Sequence, residues 1–281
     1  MESKQNPFSF YDFLGYFTPG AIFLYGLAFI SPKILGMESI AEFLMPIKEI
    51  DDVGGYVPFI LSAYVLGHIL SFLSSITVER YSIWSAGYPS KYLLNVHVDP
   101  YFTPEQPKRV KITARVLLIF ILFPVVLFDF LIGYGLKFRE LYKLDGLLAD
   151  LIKLKIQALL SASGVLKKDT PKKNPETDDY FRFVYHYCVE HAANHLPKMQ
   201  NYVALYGFLR TLTFIAVSGC WLLLYFLFKA RIECLTSLYL LSLASLLTYI
   251  LFMAFTKFYR RFTLEAFMAL VAVYPSSIVK K

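Results

Sequence analysis

Charged side chains are scarce in this chain. Asp, Glu, Lys and Arg make up 17% of the 281 residues, whereas hydrophobic residues make up 57%. Soluble domains carry about a quarter charged residues, so this composition excludes an ordinary soluble domain. The uncharged stretch at residues 54–78 is long enough, as a helix, to cross a hydrocarbon core of about 30 Å. The sequence therefore predicts an all-α integral membrane protein.

The chain also lacks the motifs of several functional classes. Its three cysteines include no Cys-x-x-Cys pair, which argues against a disulfide framework. It contains no phosphate-binding glycine loop, no nucleophile elbow, no His-Glu-x-x-His and no EF-hand loop. We expect no cofactor and no nucleic-acid partner. The net charge of +7 lies in loops and at span ends, where it indicates topology and contact with anionic lipid headgroups.

Four apolar segments are predicted to span the membrane, and a fifth is ambiguous. The four are residues 19–35, 56–78, 210–228 and 235–256. Residues 116–136 are the most apolar run, but Lys and Arg flank them on both sides and Pro124 interrupts them. Length favours a plain span, whereas charge favours a kinked hairpin that enters and leaves on one side. The predicted fold is a bundle of four, or with this segment five, transmembrane helices.

The distribution of positive charge predicts that both termini are cytoplasmic. The acidic loop at 36–53 belongs outside, and the Lys- and Arg-rich segment at 80–115 belongs inside. Three regions result. They are residues 1–80, a first transmembrane pair; 81–203, a mostly cytoplasmic helical region with the ambiguous segment; and 204–281, a second transmembrane hairpin with a C-terminal helix.

The second span carries a ridge of small residues. Ala63, Gly67, Ser71 and Ser75 recur every four residues and so share one side of the helix. Small side chains let helix backbones approach closely in lipid, where no hydrophobic drive brings helices together. We expect this ridge to pack helices and to let the protein associate with itself.

Two ionisable side chains lie inside the apolar segments. We expect His68 to be a hydrogen-bonded core histidine, and the alternative is a proton relay or a metal ligand. We expect Asp129 to lie near the membrane interface or to pair with Lys137 or Arg139. The alternative is a functional carboxylate within the membrane. A channel or transporter would depend on His68 and Asp129.

Two helices are predicted outside the bilayer, separated by a polar linker at 167–179. Residues 138–166 alternate charge with Leu and Ile and predict an amphipathic helix on the membrane or the bundle. In the helix at 180–196, Cys188, His191 and His195 fall on one face and could ligate zinc. Because apolar residues share that face, a packed surface is the preferred interpretation, and a pH-responsive histidine surface is the other alternative.

Four short motifs lie within the spans or at their edges. They are FYDFLGY at 10–16 before Pro19 and Gly20, AYVLGH at 63–68, GYPS at 87–90 and YGFLR at 206–210. These motifs resemble a loose group of uncharacterised bacterial inner-membrane proteins. The resemblance implies a multi-pass protein of the inner (plasma) membrane, and members of this group occur in mobile and phage-defence loci. It implies no catalytic residues.

Three functional hypotheses follow. The first is a non-enzymatic membrane protein that self-associates and senses or binds a protein partner on its cytoplasmic face; in a defence setting its output would be membrane perturbation. The second is an ion channel or small-solute transporter that uses His68 and Asp129. The third is a metal-dependent membrane enzyme built on Cys188, His191 and His195.

Overall fold

Long apolar helices dominate the structure, a computed structural model. It describes residues 12–30, 53–96, 109–135, 143–164, 180–229 and 234–275. Within these ranges every regular element is a helix and no strand occurs, so the predicted all-α class is confirmed. Residues 36–52 of the predicted acidic loop and the linker predicted at 167–179 lie outside the described residues.

The N-terminal part is a pair of packed helices. A π-helical turn, Phe13–Phe17, leads into α1, Thr18–Ile30. Helix α2 covers Val53–Ser74, and a π-helical segment, Ser75–Glu79, continues it into α3, Arg80–Ala86. Gly87, which has a φ of 81°, ends α3, because this backbone conformation favours glycine. The short helix α4, Pro89–Tyr92, follows.

The ambiguous apolar segment forms two helical arms that meet at nearly a right angle. Helix α5 covers Arg109–Ile121, and α6 covers Phe123–Phe128 and continues as a π-helical segment, Asp129–Gly135. The arms are bent by 93° at the break. Pro124 lies in the first turn of α6, where its missing N–H is tolerated, and it cannot continue the hydrogen-bond ladder of α5.

Helices α7 to α10 connect two parts of the molecule, a lobe and a bundle. Helices α7 and α8 cover Gly146–Ala162 and Phe181–His191. Helices α9, Leu196–Phe228, and α10, Cys234–Val273, pack against each other along their lengths as an antiparallel hairpin. Helices of 33 and 40 residues are about 50 and 60 Å long. Both are longer than the roughly 30 Å that a helix needs to cross a bilayer core.

Two clusters of buried side chains divide the molecule. The first forms the helical lobe, which consists of α7, α8, the start of α9 and the end of α10; its core includes Ile152, Ile156, Met199, Phe267 and Leu270. The second forms the bundle, which consists of α2, α3, α5, α6 and the rest of α9 and α10, with α1 packed on α2; its core includes Val78, Leu122, Val125, Val217 and Phe252. Residues 92–94, at the end of α4, pack in the first cluster. Tyr206 and Tyr259 contact both clusters. The predicted boundary at residue 203 therefore falls inside a continuous helix, α9.

Large apolar side chains cover the outside of the bundle. Those with more than half of their surface exposed include Leu61, Val65, Phe72, Val116, Phe120, Phe130, Leu238, Tyr239 and Leu247. A surface of this kind is costly in water and is suited to lipid. Three helices are long and apolar enough to cross a membrane, at 56–92, 196–228 and 234–273, and the bent pair could be a fourth. The apolar helix of the first predicted span, Phe13–Ala28, is shorter than these.

Half of the small-residue ridge packs against helix α1 of the same chain. Ala63 is fully buried, and a Cβ placed on Gly20 would overlap its carbonyl group. A Cβ on Gly67 would overlap the backbone of Tyr16. The two glycines therefore permit a backbone-to-backbone contact between α1 and α2. Ala63 and Gly67 lie at this contact, which is inside one chain.

We predict that Gly20→Leu destabilises the protein, whereas Gly26→Leu on the same helix does not. The new side chain at residue 20 must displace α1 from α2, at a cost of about 1–3 kcal/mol or more. A Cβ at Gly26 meets nothing within 4 Å, which makes this variant the matched control. Thermal unfolding in detergent measures the difference. Equal melting temperatures for the two variants would contradict the close contact.

Candidate functional site

Arg210 of α9 connects three polar side chains of the α2–α3 helix. Its Nε donates to Ser74 Oγ at 3.1 Å, and its Nη2 donates to Ser71 Oγ at 3.1 Å. Its Nη1 donates to the carboxylate of Glu79. The Ser74 hydroxyl also lies 3.4 Å from that of Thr211. This network lies where the bundle meets the lobe.

The π-helical segment Ser75–Glu79 places these groups on one side of the helix. In a regular α-helix, Glu79 would lie about 140° around the axis from Ser74, because each residue turns the chain by roughly 100°. The wider π turn pairs residues that are five apart, and so brings Glu79 towards the side that bears Ser71 and Ser74. π-Helical segments often occur at functional sites, so this one marks the network as a candidate.

Most of the network is shielded from solvent. The side chains of Arg210 and Glu79 are 12% and 20% exposed. A shielded ion pair adds little net stability, but removing one partner leaves the other charge uncompensated. The sequence contains a signal for this pair. Glu79 and Arg210 both mark span ends on the same predicted side of the membrane, and they carry opposite charges.

Asp129 is enclosed in the core of the bundle. It has no exposed surface, and the hydroxyl of Tyr81 donates to its Oδ2 at 2.7 Å. Any side chain at Gly133, one turn later, would overlap this carboxylate and approach the hydroxyl of Tyr249. Protein therefore surrounds the carboxyl group, whereas the expected position near the membrane interface stays a prediction. The proposed partners Lys137 and Arg139 lie outside the described residues.

Trp221 of α9 completes the hydrogen bonding at the bend between α5 and α6. Its indole Nε1 donates to the carbonyl of Ile121 at 2.8 Å. The rings of Phe120 and Phe123 lie 4.8 and 5.1 Å from the indole. A carbonyl at a helix end lacks an intrahelical partner, and within a membrane such a group must be paired or shielded by protein. Trp221 supplies both the partner and the shield.

His68 lies on the outside of the bundle, and the expectation of a core histidine is wrong. Its side chain is exposed, with its ring stacked on Tyr16 at 3.9 Å and in edge contact with Tyr64 at 4.6 Å. Asp129 has a different set of neighbours, Tyr81 and Gly133. The two groups that a channel would use are therefore held in separate environments within one chain.

The three candidate zinc ligands do not form a metal site. Cys188 is 1% exposed, and its thiol contacts the carbonyl of Ala266 at 3.3 Å. Burial raises the pKa of this thiol to about 11, which disfavours the thiolate form that binds metals. His195 Nδ1 lies 2.9 Å from Glu265, and His191 stacks on Tyr187. No group of three potential ligands occurs in the part of the chain that the structure describes.

Lys155 shows a role that the sequence did not reveal. It lies on a helix predicted to be amphipathic, yet it is 3% exposed and belongs to the buried side of α7. Its Nζ donates to the carbonyl of Tyr274 at 2.5 Å, just beyond the end of α10. A cation at a helix C-terminus complements the helix dipole and the unpaired carbonyls there. Lys155 thus ties α7 to the end of α10.

Comparisons with protein-family models, with curated proteins and with solved structures gave no match.

We predict that the Glu79–Arg210 pair is energetically coupled. Arg210→Gln and Glu79→Gln should each lower the free energy of unfolding by about 1–3 kcal/mol, reduced from the buried-pair range because both side chains are partly exposed. The double variant should lose less than the sum, because neither partner is then left alone. Reversible unfolding in mixed micelles gives the four values, and the exposed Arg182→Gln is the control. Strictly additive losses would show that the pair does not act as a unit.

Proposed function

We propose that this chain is a non-enzymatic, multi-pass membrane protein that self-associates and binds a protein partner through a cytoplasmic helical lobe. The continuity of α9 and α10 carries this proposal. Each helix belongs to the lobe core at one end and to the bundle at the other. A partner that moves the lobe would therefore move the membrane helices. In a defence locus, as the resemblance implies, the output would be membrane perturbation.

The proposed topology has four spans, with both termini in the cytoplasm of a cell with an inner membrane. Helices α1 and α2 form the first transmembrane pair, and α9 and α10 form the second. The bent pair of α5 and α6 enters and returns, which is supported by its 93° bend and by the Lys and Arg residues at both flanks. The hydrogen bond from Trp221 supports this placement, since it pairs a backbone group at the break.

Self-association is proposed to use the face of α2 that carries His68. This residue lies near the middle of the predicted span, and its ring nitrogens have no hydrogen-bond partner among the described residues. A polar imidazole that faces lipid is costly, and contact with a second copy would remove this cost. Ala63 and Gly67 are already used within the chain, so the ridge that they form is not the proposed interface.

We predict that His68→Leu shifts the protein from an oligomer to a monomer. Leucine is compatible with lipid, so the driving force for covering this face disappears. The mass of the protein–detergent complex, measured by light scattering, reports the change. Leu247→Ala, on the exposed surface of α10, is the control and should keep the parent mass. A parent that is monomeric at every concentration, or an unchanged mass for His68→Leu, would refute this interface.

Ion conduction between copies is a second candidate, favoured by the exposed imidazole in the middle of a span. If His68 lines a path between subunits, liposomes that contain the parent should show ion flux, and His68→Leu should abolish it. Asp129 is enclosed by its own chain, so we expect Asp129→Asn to alter stability more than flux. The metal-dependent enzyme is not proposed, because its three candidate ligands lie apart.

A further inference from the structure

Two arginines converge on one tryptophan at the edge of the bundle. The Cζ of Arg80 lies 5.6 Å from the centroid of the Trp84 ring, and the Cζ of Arg115 lies at the same distance. Arg80 and Trp84 belong to α3, whereas Arg115 belongs to α5, so the contact bridges two helices. We name these three residues the arginine–tryptophan cluster.

The sequence places this cluster at a membrane boundary. Apart from Glu79, whose carboxylate pairs with Arg210, no charged residue precedes Arg80 back to residue 53. No charged residue follows Arg115 before Asp129. Each arginine thus ends an apolar run, and tryptophan is enriched at the membrane–water interface. The cluster lies at the depth where lipid headgroups lie.

Exposed apolar side chains continue from the cluster along both helices. Ile76, one turn before Arg80, is 46% exposed. Val116 and Phe120, which follow Arg115, are 59% and 63% exposed. A ligand at this place would therefore meet cations at one end and an apolar surface at the other. That combination matches a phospholipid and not a small soluble anion.

We propose that the arginine–tryptophan cluster binds the phosphate of an anionic phospholipid, with an acyl chain along Ile76, Val116 and Phe120. A guanidinium fork matches phosphate oxygens, and its face can remain stacked on the indole. The two guanidinium groups place two positive charges at one ring, and a phosphate between them would be attracted by both. The inference rests on the proposed membrane placement of the bundle.

The experiment uses Trp84 as the reporter. The chain has two tryptophans, so Trp221→Phe leaves Trp84 as the only one. This protein is reconstituted in phosphatidylcholine vesicles that contain either brominated phosphatidylglycerol or brominated phosphatidylcholine, and quenching of Trp84 is compared. We expect the anionic lipid to bind at Trp84 about tenfold more strongly, since each basic residue adds attraction at the membrane surface. In Arg80→Gln/Arg115→Gln the ratio should fall to about one.

Controls separate the possible failures. Arg261→Gln removes an exposed arginine that contacts one ring, Phe258, at 5.7 Å, and should leave the ratio unchanged. Equal quenching by both lipids in the parent would overturn the lipid site while leaving the membrane placement intact. Absence of quenching by either lipid would overturn the membrane placement itself. Displacement of the anionic lipid by millimolar inorganic phosphate would assign the site to free phosphate instead.

A second measurement does not depend on Trp221→Phe, which removes the hydrogen bond to Ile121. The unaltered chain is extracted in mild detergent, and retained phospholipids are counted by native mass spectrometry. We expect phosphatidylglycerol to stay bound to the parent and to Arg261→Gln, and to be lost from Arg80→Gln/Arg115→Gln. Equal retention by all three proteins would contradict the site.

Discussion

The pairing of α9 with α10 is the constraint on which the rest of the structure depends. These helices pack against each other along their lengths, and both are longer than a bilayer core is thick. The hairpin is thus longer than one crossing requires, and its ends beyond the bundle have their own apolar partners. Helices α7 and α8 supply those partners and complete the lobe. Helices α9 and α10 also form the surface against which α2, α3 and the bent pair pack.

Several polar groups within the bundle are paired with a side chain from another helix. Tyr81 donates to Asp129, Trp221 donates to the carbonyl at the bend, and Arg210 bridges Glu79, Ser71 and Ser74. This pattern is what a medium without water requires, because an unpaired polar group there costs several kcal/mol. The π-helical segments at Ser75–Glu79 and Asp129–Gly135 take part in two of these contacts. Local departures from regular helix thus serve the hydrogen bonding of the whole bundle.

The all-helical class could be predicted from the sequence because charge and hydropathy report directly on a lipid environment. The sequence could not show which helix packs against each helix face. Periodicity places Ala63 and Gly67 on one ridge, yet it cannot distinguish a second copy from α1 of the same chain. It also cannot show that Lys155 points inward, since that depends on the carbonyl offered by Tyr274. The side of α2 that His68 occupies was likewise set by which helices pack around it.

Sided labelling of Cys234 tests the proposed architecture most directly. Cys188 and Cys220 are buried, and the raised pKa of the Cys188 thiol further slows its reaction, so Cys234 is the cysteine that reacts in the native protein. It begins α10 at the end opposite the lobe. An impermeant maleimide should label Cys234 in intact cells, whereas a cysteine introduced by Ser161→Cys on the exposed side of α7 should react only after permeabilisation. Labelling of both cysteines on the same side would contradict a hairpin that crosses the membrane below a cytoplasmic lobe.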